Sequence, residues 1–538
     1  MVDVLPSVFL RLKPKFTRVL LAAALVGTLG ISAEAKAADD TIVVARAMDI
    51  NSLDPARAYC DTCQIYLSAV YQPLLTLAAD NKTIIPSLAE KWEVSPDVTT
   101  FTFNLNPAAK FSDGSPVTGD DVKWTLERLK NVKGSASYLM DSVKSIEVKD
   151  PHTVVITTKT PNSELLGILS APYTGIINSK LASANGANAA EDAATSDTSD
   201  TWFLSNSAGS GPFTLESYKA DDNLRFKRND NYWGTKPAAA VVIMKQTADA
   251  VTQAQMLGSG TADIAMQIDP DTAKSIQDPN IVFQTIPSFN FVYVAFSPVA
   301  EGSPVPLTRD VREAIALAID YKGAIDFTVG GEGKLQPAAI PNGFPGTSNL
   351  PDPETNIEKA KELLAKAGLA DGFTLDLTFA AMNVYGIDLS LLAQKLEQDL
   401  AKINVKLALK PATFNVWVTD IDKPVPFTIG FFAPDYFGSA QYVQYFGMIP
   451  NMPWGTRAGV GKAEGLDGKE ELELFNKALA AAIEQQEEAY RALAMKMIDD
   501  KIILPLVSPN LVLAHRKDIG GVRYSACCNL PLAEIVKN

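Results

Sequence analysis

Two hydrophobic periodicities alternate along the second half of the chain, and they restrict its fold more than any other feature. Apolar residues recur at i, i+3 and i+4 in Arg309 to Asp320, and helices are also predicted over Ile357 to Ala367, Leu389 to Ile403 and Glu470 to Asp499. Between them lie runs of β-branched, aromatic and leucine residues, Leu375 to Phe379, Val405 to Leu409 and Phe427 to Phe432. A helix with one apolar stripe and a strand with an apolar face each need a covering layer, so the alternation predicts an α/β fold with a mixed sheet.

The first 300 residues punctuate more often. Thr41 to Ala45 reads as a buried strand stopped by Asn51-Ser52-Leu53-Asp54-Pro55, and Tyr66 to Leu77 has helical spacing. Pro86-Ser87-Leu88-Ala89 is expected to open a short helix. Thr100 to Leu105 alternates with period 2, Asp113-Gly114 marks a turn, and Thr118 caps a helix from Gly119 to Leu129. Ile146 to Val148 and Thr153 to Thr157 form a hairpin across Asp150-Pro151. Ala182 to Asp200, rich in small and polar residues, is expected to be a solvated loop or a poorly ordered insertion. Phe213 to Tyr218 pairs with Leu224 to Lys227; Val241 to Lys245, Asp263 to Gln267, Val282 to Thr285 and Phe289 to Ser297 are further strands. Helices are predicted over Ala248 to Gly258 and, capped by Asp269, over Pro270 to Ile276.

A net charge of −14 argues against binding nucleic acid through phosphate contacts. Two histidines far apart, His152 and His515, offer no zinc pair and no triad, and no phosphate-binding, dinucleotide or nucleophile-elbow motif occurs. No enzymatic centre, metal or cofactor is expected.

Arg11, Lys13, Lys15 and Arg18 precede an apolar run from Val19 to Ile31, which is shorter than the ~20 residues a membrane span needs. Ala33-Glu34-Ala35-Lys36-Ala37 then supplies small residues for cleavage after Ala37, so residues 1–37 read as a secretory signal peptide. No cysteine follows to carry a lipid, and a soluble exported protein is expected. In an oxidising compartment Cys60, Cys63, Cys527 and Cys528 should be structural disulfides. Three pairings are open. A bond between the neighbours Cys527 and Cys528 closes a strained ring, which favours bridges between the two ends of the chain if those ends meet in space. A secreted thiol enzyme or chaperone built on Cys60 and Cys63 is the remote alternative.

Several phrases then fall in a recognisable order. They are Leu53-Asp54-Pro55, Tyr71-Gln72-Pro73-Leu74-Leu75, Pro86-Ser87-Leu88-Ala89-Glu90-Lys91-Trp92, and Phe111-Ser112-Asp113-Gly114 followed by Leu126-Glu127-Arg128. Gly211-Pro212-Phe213, Arg228-Asn229-Asp230-Asn231-Tyr232-Trp233 and Asp310-Val311-Arg312-Glu313-Ala314-Ile315 continue the series. Over roughly residues 41 to 520 the chain resembles the dipeptide- and oligopeptide-binding family of periplasmic solute receptors for ABC importers.

The resemblance implies a two-lobed periplasmic binding protein fold (type II, cluster C-like) with an extra subdomain inserted in the first lobe. Its segments would be 38–85, 205–290 and 509–538 for lobe I, 86–204 for the inserted subdomain and 291–508 for lobe II. That arrangement brings all four cysteines into one lobe. The implied protein is a monomer that captures a solute, foremost a peptide, by hinge closure and passes it to an inner-membrane ABC permease. An opine, a sugar conjugate or another non-peptide solute is the alternative. Asp435 matches the family's acceptor for a ligand α-ammonium group, although Phe437-Gly438-Ser439 departs from the usual pattern just after it. Trp417, Phe432, Tyr436 and Trp454 would wall the pocket, Asn290 and Phe291 would face the cleft, and Tyr59 is a further candidate. Arg312 is expected to make a helix-supporting ion pair, and Trp92, Phe101 and Phe103 to be core aromatics.

Overall fold

Thr41–Arg46 is flanked on both sides by parallel strands, Val241–Gln246 and Ile264–Ala265, which accounts for its nearly continuous apolar sequence. The computed structural model describes residues 40–538 except 422, 483, 484 and 527, so the expected leader and Cys527 lie outside the described residues. From Val241–Gln246 the sheet continues antiparallel through Asn223–Arg228 to Phe213–Lys219. On the other side, Ile264–Ala265 pairs with a 14-residue strand, Ile503–Arg516.

That long strand joins the two halves of one 12-stranded sheet. Its later residues pair with Ile281–Pro287, from Asn510 to Arg516. Its first residues pair with Phe291–Phe296, beyond which lie Phe427–Phe432, Phe373–Ala380 and Val405–Ala412. The changeover falls at Pro505 and Pro509, which lack an N–H, and the register slips between Val292 and Tyr293. A bulge is the ordinary accommodation for proline inside a sheet.

A separate four-stranded sheet, in the order Ala89–Val94, Thr100–Leu105, Thr153–Thr158, Val143–Asp150, is covered by the helix Gly119–Val132. Thr118 and Asp121 close a capping box at its start, and Phe101 and Phe103 are buried beneath it while Trp92 is half-buried. Pro86-Ser87-Leu88-Ala89 is not a helix, contrary to the sequence expectation. The amides of Leu88 and Ala89 bond to the carbonyls of Pro73 and Leu74, which draws the segment into the strands Ile84–Pro86 and Ala89–Val94.

The stretch Ala182 to Asp200 also differs from expectation. Most of it is exposed, as a solvated loop would be, but Asp197 anchors it to a buried charge cluster. Arg128, fully buried, forks onto both oxygens of Asp54 at 2.6 Å, reaches Asp197 Oδ2 at 2.8 Å and donates to Ser199 Oγ at 2.9 Å. Arg57 adds a second guanidinium, 3.0 Å from Asp197. Two cations thus face two carboxylates with most lone pairs occupied, the condition under which buried ions are tolerated.

Two smaller expectations are also corrected. Glu470 to Asp499 is two helices, Lys469–Leu479 and Gln486–Asp500, and the break exposes the Leu479 carbonyl to Ser163 N–H and Oγ at 3.1 Å. Arg312 makes no ion pair among the described residues. Its buried guanidinium donates to the carbonyls of Leu307, Asp500 and Lys501, the last two at the C-terminal end of a helix, where unpaired carbonyls favour a cation.

Candidate functional site

The helix Asp61–Val70 starts inside the Cys60–Cys63 spacing, with Cys60 as its N-cap. The first helical turn brings the two Cα atoms to 4.9 Å, and the two cysteines are bonded to each other. The expected bridge between chain ends is therefore wrong, although the ends do meet: Asn529 Nδ2 donates to Gln64 Oε1 at 2.9 Å. Cys528 is buried. Replacing both Cys60 and Cys63 by serine is expected to cost about 2 kcal/mol, the loop-closure value for so short a ring, read as a lower urea midpoint at unchanged slope.

Cys60 and Asp61 border a cavity of about 780 Å³ that is also walled by Asp49, Tyr59, Tyr138, Tyr385, Trp417, Phe432, Asp435 and Arg457. That size lies inside the ~300–1,000 Å³ range of small-ligand sites.

Asp435 follows the strand Phe427–Phe432 through Ala433-Pro434, and its loop is braced by the buried Gln441. Gln441 accepts the Asp435 amide at 2.6 Å and donates to the carbonyls of Tyr436 and Gly438. The Asp435 carboxylate, 2% exposed, accepts the hydroxyls of Tyr59 at 2.9 Å and of Tyr138 at 2.5 Å. Burial pushes it up to about 6, although these hydroxyls and Gln64 work the other way.

Asp49 is differently placed. Its oxygens accept the amides of Asp61 and Thr62 at 2.9 Å, at the start of the helix, and Arg46 lies 3.8 Å away. Asp61 itself is pushed up to about 7, first by burial and then by the charge of Asp49. Arg457 stands on the helix Pro453–Ala458, stacked against the rings of Trp454 and Tyr445 at 5.2 and 5.8 Å.

Of the residues singled out from sequence, Asp435, Tyr59, Trp417 and Phe432 line this cavity together. The other four do not line it. Tyr436 is fully buried with its hydroxyl 3.0 Å from Glu164. Trp454 is buried beside Tyr293 and beneath Arg457. Asn290 is buried and accepts from Tyr524 at 3.2 Å, and Phe291 belongs to an aromatic core with Phe432, Tyr442 and Phe446.

Asp49, Asp61, Tyr138, Tyr385 and Arg457 line the cavity and were missed. Tyr385-Gly386 carried a turn signal, and Asp61 sat between two cysteines; Tyr138 carried no local signal. The glycine in Phe437-Gly438-Ser439 has a steric reason, since a Cβ there would strike the Glu164 carboxylate and the Tyr436 ring. Glu164 in turn accepts the Ala440 amide at 2.9 Å, bridging the segment before residue 205 to the segment after 430.

Comparison with known proteins agrees with this architecture. Residues 83–448 match the model of the bacterial extracellular solute-binding proteins, family 5 middle region. The chain is 28% identical to a dipeptide-binding protein of Escherichia coli (strain K12) over 63% of its length and 65% of that protein's. It is 28% identical to a probable D,D-dipeptide-binding periplasmic protein of the same organism over 97% of its length and 98% of that relative's. An ABC transporter-associated periplasmic binding protein of Helicobacter pylori, solved with a peptide, superposes with a TM-score of 0.80 at 19% identity, covering 92% of this chain and 98% of that one. No helix among the described residues is long and apolar enough to cross a membrane. With its mixed sheet matching the two-lobed structures and more than half its length matching the family model, the chain belongs to the family 5 bacterial extracellular solute-binding proteins.

Proposed function

We propose that this protein is the periplasmic receptor of an ABC importer and captures a short peptide in the 780 Å³ cavity for delivery to an inner-membrane permease. The observation that carries this reading is the pairing of opposite charges on one cavity wall and another: the Asp435 carboxylate, set by two tyrosine hydroxyls, and the Arg457 guanidinium, set by two rings. A zwitterionic peptide presents an ammonium and a carboxylate to match them, and burial strengthens both contacts. Dipeptide-binding relatives support the same ligand class. Segments 38–85, 205–290 and 509–538 form one lobe, 86–204 its inserted subdomain and 291–508 the other lobe. Closure excludes water, and no covalent step is needed. The protein works as a monomer, exported by the leader at 1–37, and is not an enzyme.

Thermal-shift screening tests the ligand class. A dipeptide at 100 times its Kd should stabilise the protein by about 2.7 kcal/mol, and a library in which only opines or sugar conjugates shift the transition would exclude the peptide.

The pH dependence has a definite sign. Burial raises Asp435 to about 6 and Asp61 to about 7, so in the ligand-free protein both carboxyls favour folding most at acid pH. Their contribution is lost as pH rises through those values. A bound ammonium holds Asp435 ionised, so the complex carries fewer protons than the free protein. Affinity should therefore fall on going from about pH 8 to about pH 5, with proton release seen by calorimetry in buffers of different ionisation enthalpy. Affinity rising on acidification would contradict this.

A further inference from the structure

The three carboxylates bordering the cavity have unequal partners. Asp49 is matched by Arg46 and by two helix-start amides, and Asp435 by two tyrosine hydroxyls. Asp61 is less well matched: among the described residues, only the Tyr385 hydroxyl faces it and no ion pair reaches its carboxylate. Its own amide is committed to Asp49, which fixes the side chain at the first position of the helix and at the cavity edge.

Tyr385 gives a second, independent observation. It sits at the tip of the hairpin Asn383–Val384 with Ile387–Asp388, with a φ of 55° followed by Gly386 at 85°. Two-residue turns of this kind favour asparagine or glycine at that place, and a bulky residue held in the left-handed region costs on the order of 1–3 kcal/mol. The strain presents a ring to the cavity. Tyr385 is 6% exposed and borders the cavity; its hydroxyl faces the Asp61 carboxylate without reaching standard hydrogen-bond geometry. A hydroxyl this deeply buried ordinarily has a partner.

We propose that Asp61 and Tyr385 form a second cation-binding subsite, which selects peptides carrying a basic side chain in addition to the α-ammonium group. An incoming lysine-type ammonium donates to the Asp61 carboxylate and to the Tyr385 oxygen, while the tyrosine proton is free to turn toward Asp61. The cavity's charge balance agrees. Asp49 is answered by Arg46, which leaves Asp61 and Asp435 against one bordering base, Arg457, among the described residues, so a ligand with net positive charge reduces the imbalance that a neutral zwitterion leaves. The raised titration of Asp61 next to Asp49 fits a carboxylate whose partner arrives with the ligand.

This inference rests on the peptide reading of the cavity, and the test separates the two. Calorimetry would compare Ala-Lys and Lys-Ala with their norleucine counterparts, and include 1,5-diaminopentane as a non-peptide dication. The wild-type protein should bind at least one lysine peptide about tenfold more tightly than its norleucine twin, equivalent to about 1.4 kcal/mol. Asp61→Asn should cost lysine peptides about tenfold more affinity than norleucine peptides without lowering the melting temperature, and Tyr385→Phe should reduce the preference. Equal affinity for lysine and norleucine peptides, or a preference that survives in Asp61→Asn, overturns the subsite. If no peptide binds but the diamine does, in an Asp61-dependent way, the subsite stands and the peptide reading falls. If neither binds, both fall.

Discussion

Asp435→Asn should weaken peptide binding by about 2–5 kcal/mol, from roughly 30-fold to several thousand-fold in Kd, without lowering the melting temperature. The carboxylate is 2% exposed and braced from behind by Gln441, so the amide occupies the same volume and still accepts from Tyr59 and Tyr138. What it loses is the negative charge opposite the ligand ammonium, in a site where water cannot replace it. The fold should not suffer, because the buried carboxyl is already pushed toward its neutral form, at about 6, when no cation is present. Unchanged affinity would make Asp435 a structural acceptor for two tyrosines. A gain in affinity would mean that the ligand carries negative charge at this wall, and would favour an opine or phosphorylated sugar.

The largest effect on stability is expected at Arg128. Arg128→Met fills similar volume but leaves Asp54 and Asp197 buried with Arg57 as their remaining cation, a loss of about 3–5 kcal/mol by urea unfolding near neutral pH. Burial acts to raise Asp197, but Arg128, the Asn188 amide and Ser199 outweigh it and hold the carboxyl well below the usual range. In the wild type that depressed value stabilises the fold above the ordinary carboxylate pKa and is lost as pH falls. Removing the arginine takes away the first of the contacts that hold Asp197 down, so the variant should lose less stability on acidification than the wild type. A variant as stable as the wild type would mean the cluster contributes nothing net. Adding Asp54→Asn and Asp197→Asn to Arg128→Met should recover part of the loss, because the orphaned charges go with it.

The sequence was most informative where one residue's neighbours are its own segment. Period 2 at Thr100 to Leu105 and the Thr118 cap became the strand Thr100–Leu105 and a capped helix because both signals are local. It misled where a distant partner decided the outcome. Ala182 to Asp200 reads as a loop without an anchor until Arg128, more than 50 residues earlier, claims Asp197. Pro86 to Ala89 looks helical until the carbonyls of Pro73 and Leu74 claim its amides.

The disulfide was missed for a smaller reason. The helix was read from Tyr66, whereas it begins at Asp61, and that difference of one turn places Cys60 and Cys63 within bonding reach. In the site, Asp435 was visible because a motif surrounds it. Tyr138 and Arg457 were not, since what makes each a site residue is a neighbour hundreds of positions away or a ring stack, neither of which leaves a mark at short range.

The strand Ile503–Arg516 has a consequence for the order in which the molecule is assembled. Ile264 waits for His515, and Ala295 for Ile503, so neither half of the sheet is complete until the last tenth of the chain has been made. A nascent chain stopped before residue 503 carries two unfinished sheet edges with no local substitute. Pairings of such long sequence separation form slowly, so the central sheet closes only after its last strand has been made, later than the self-contained four-stranded sheet of residues 89–158.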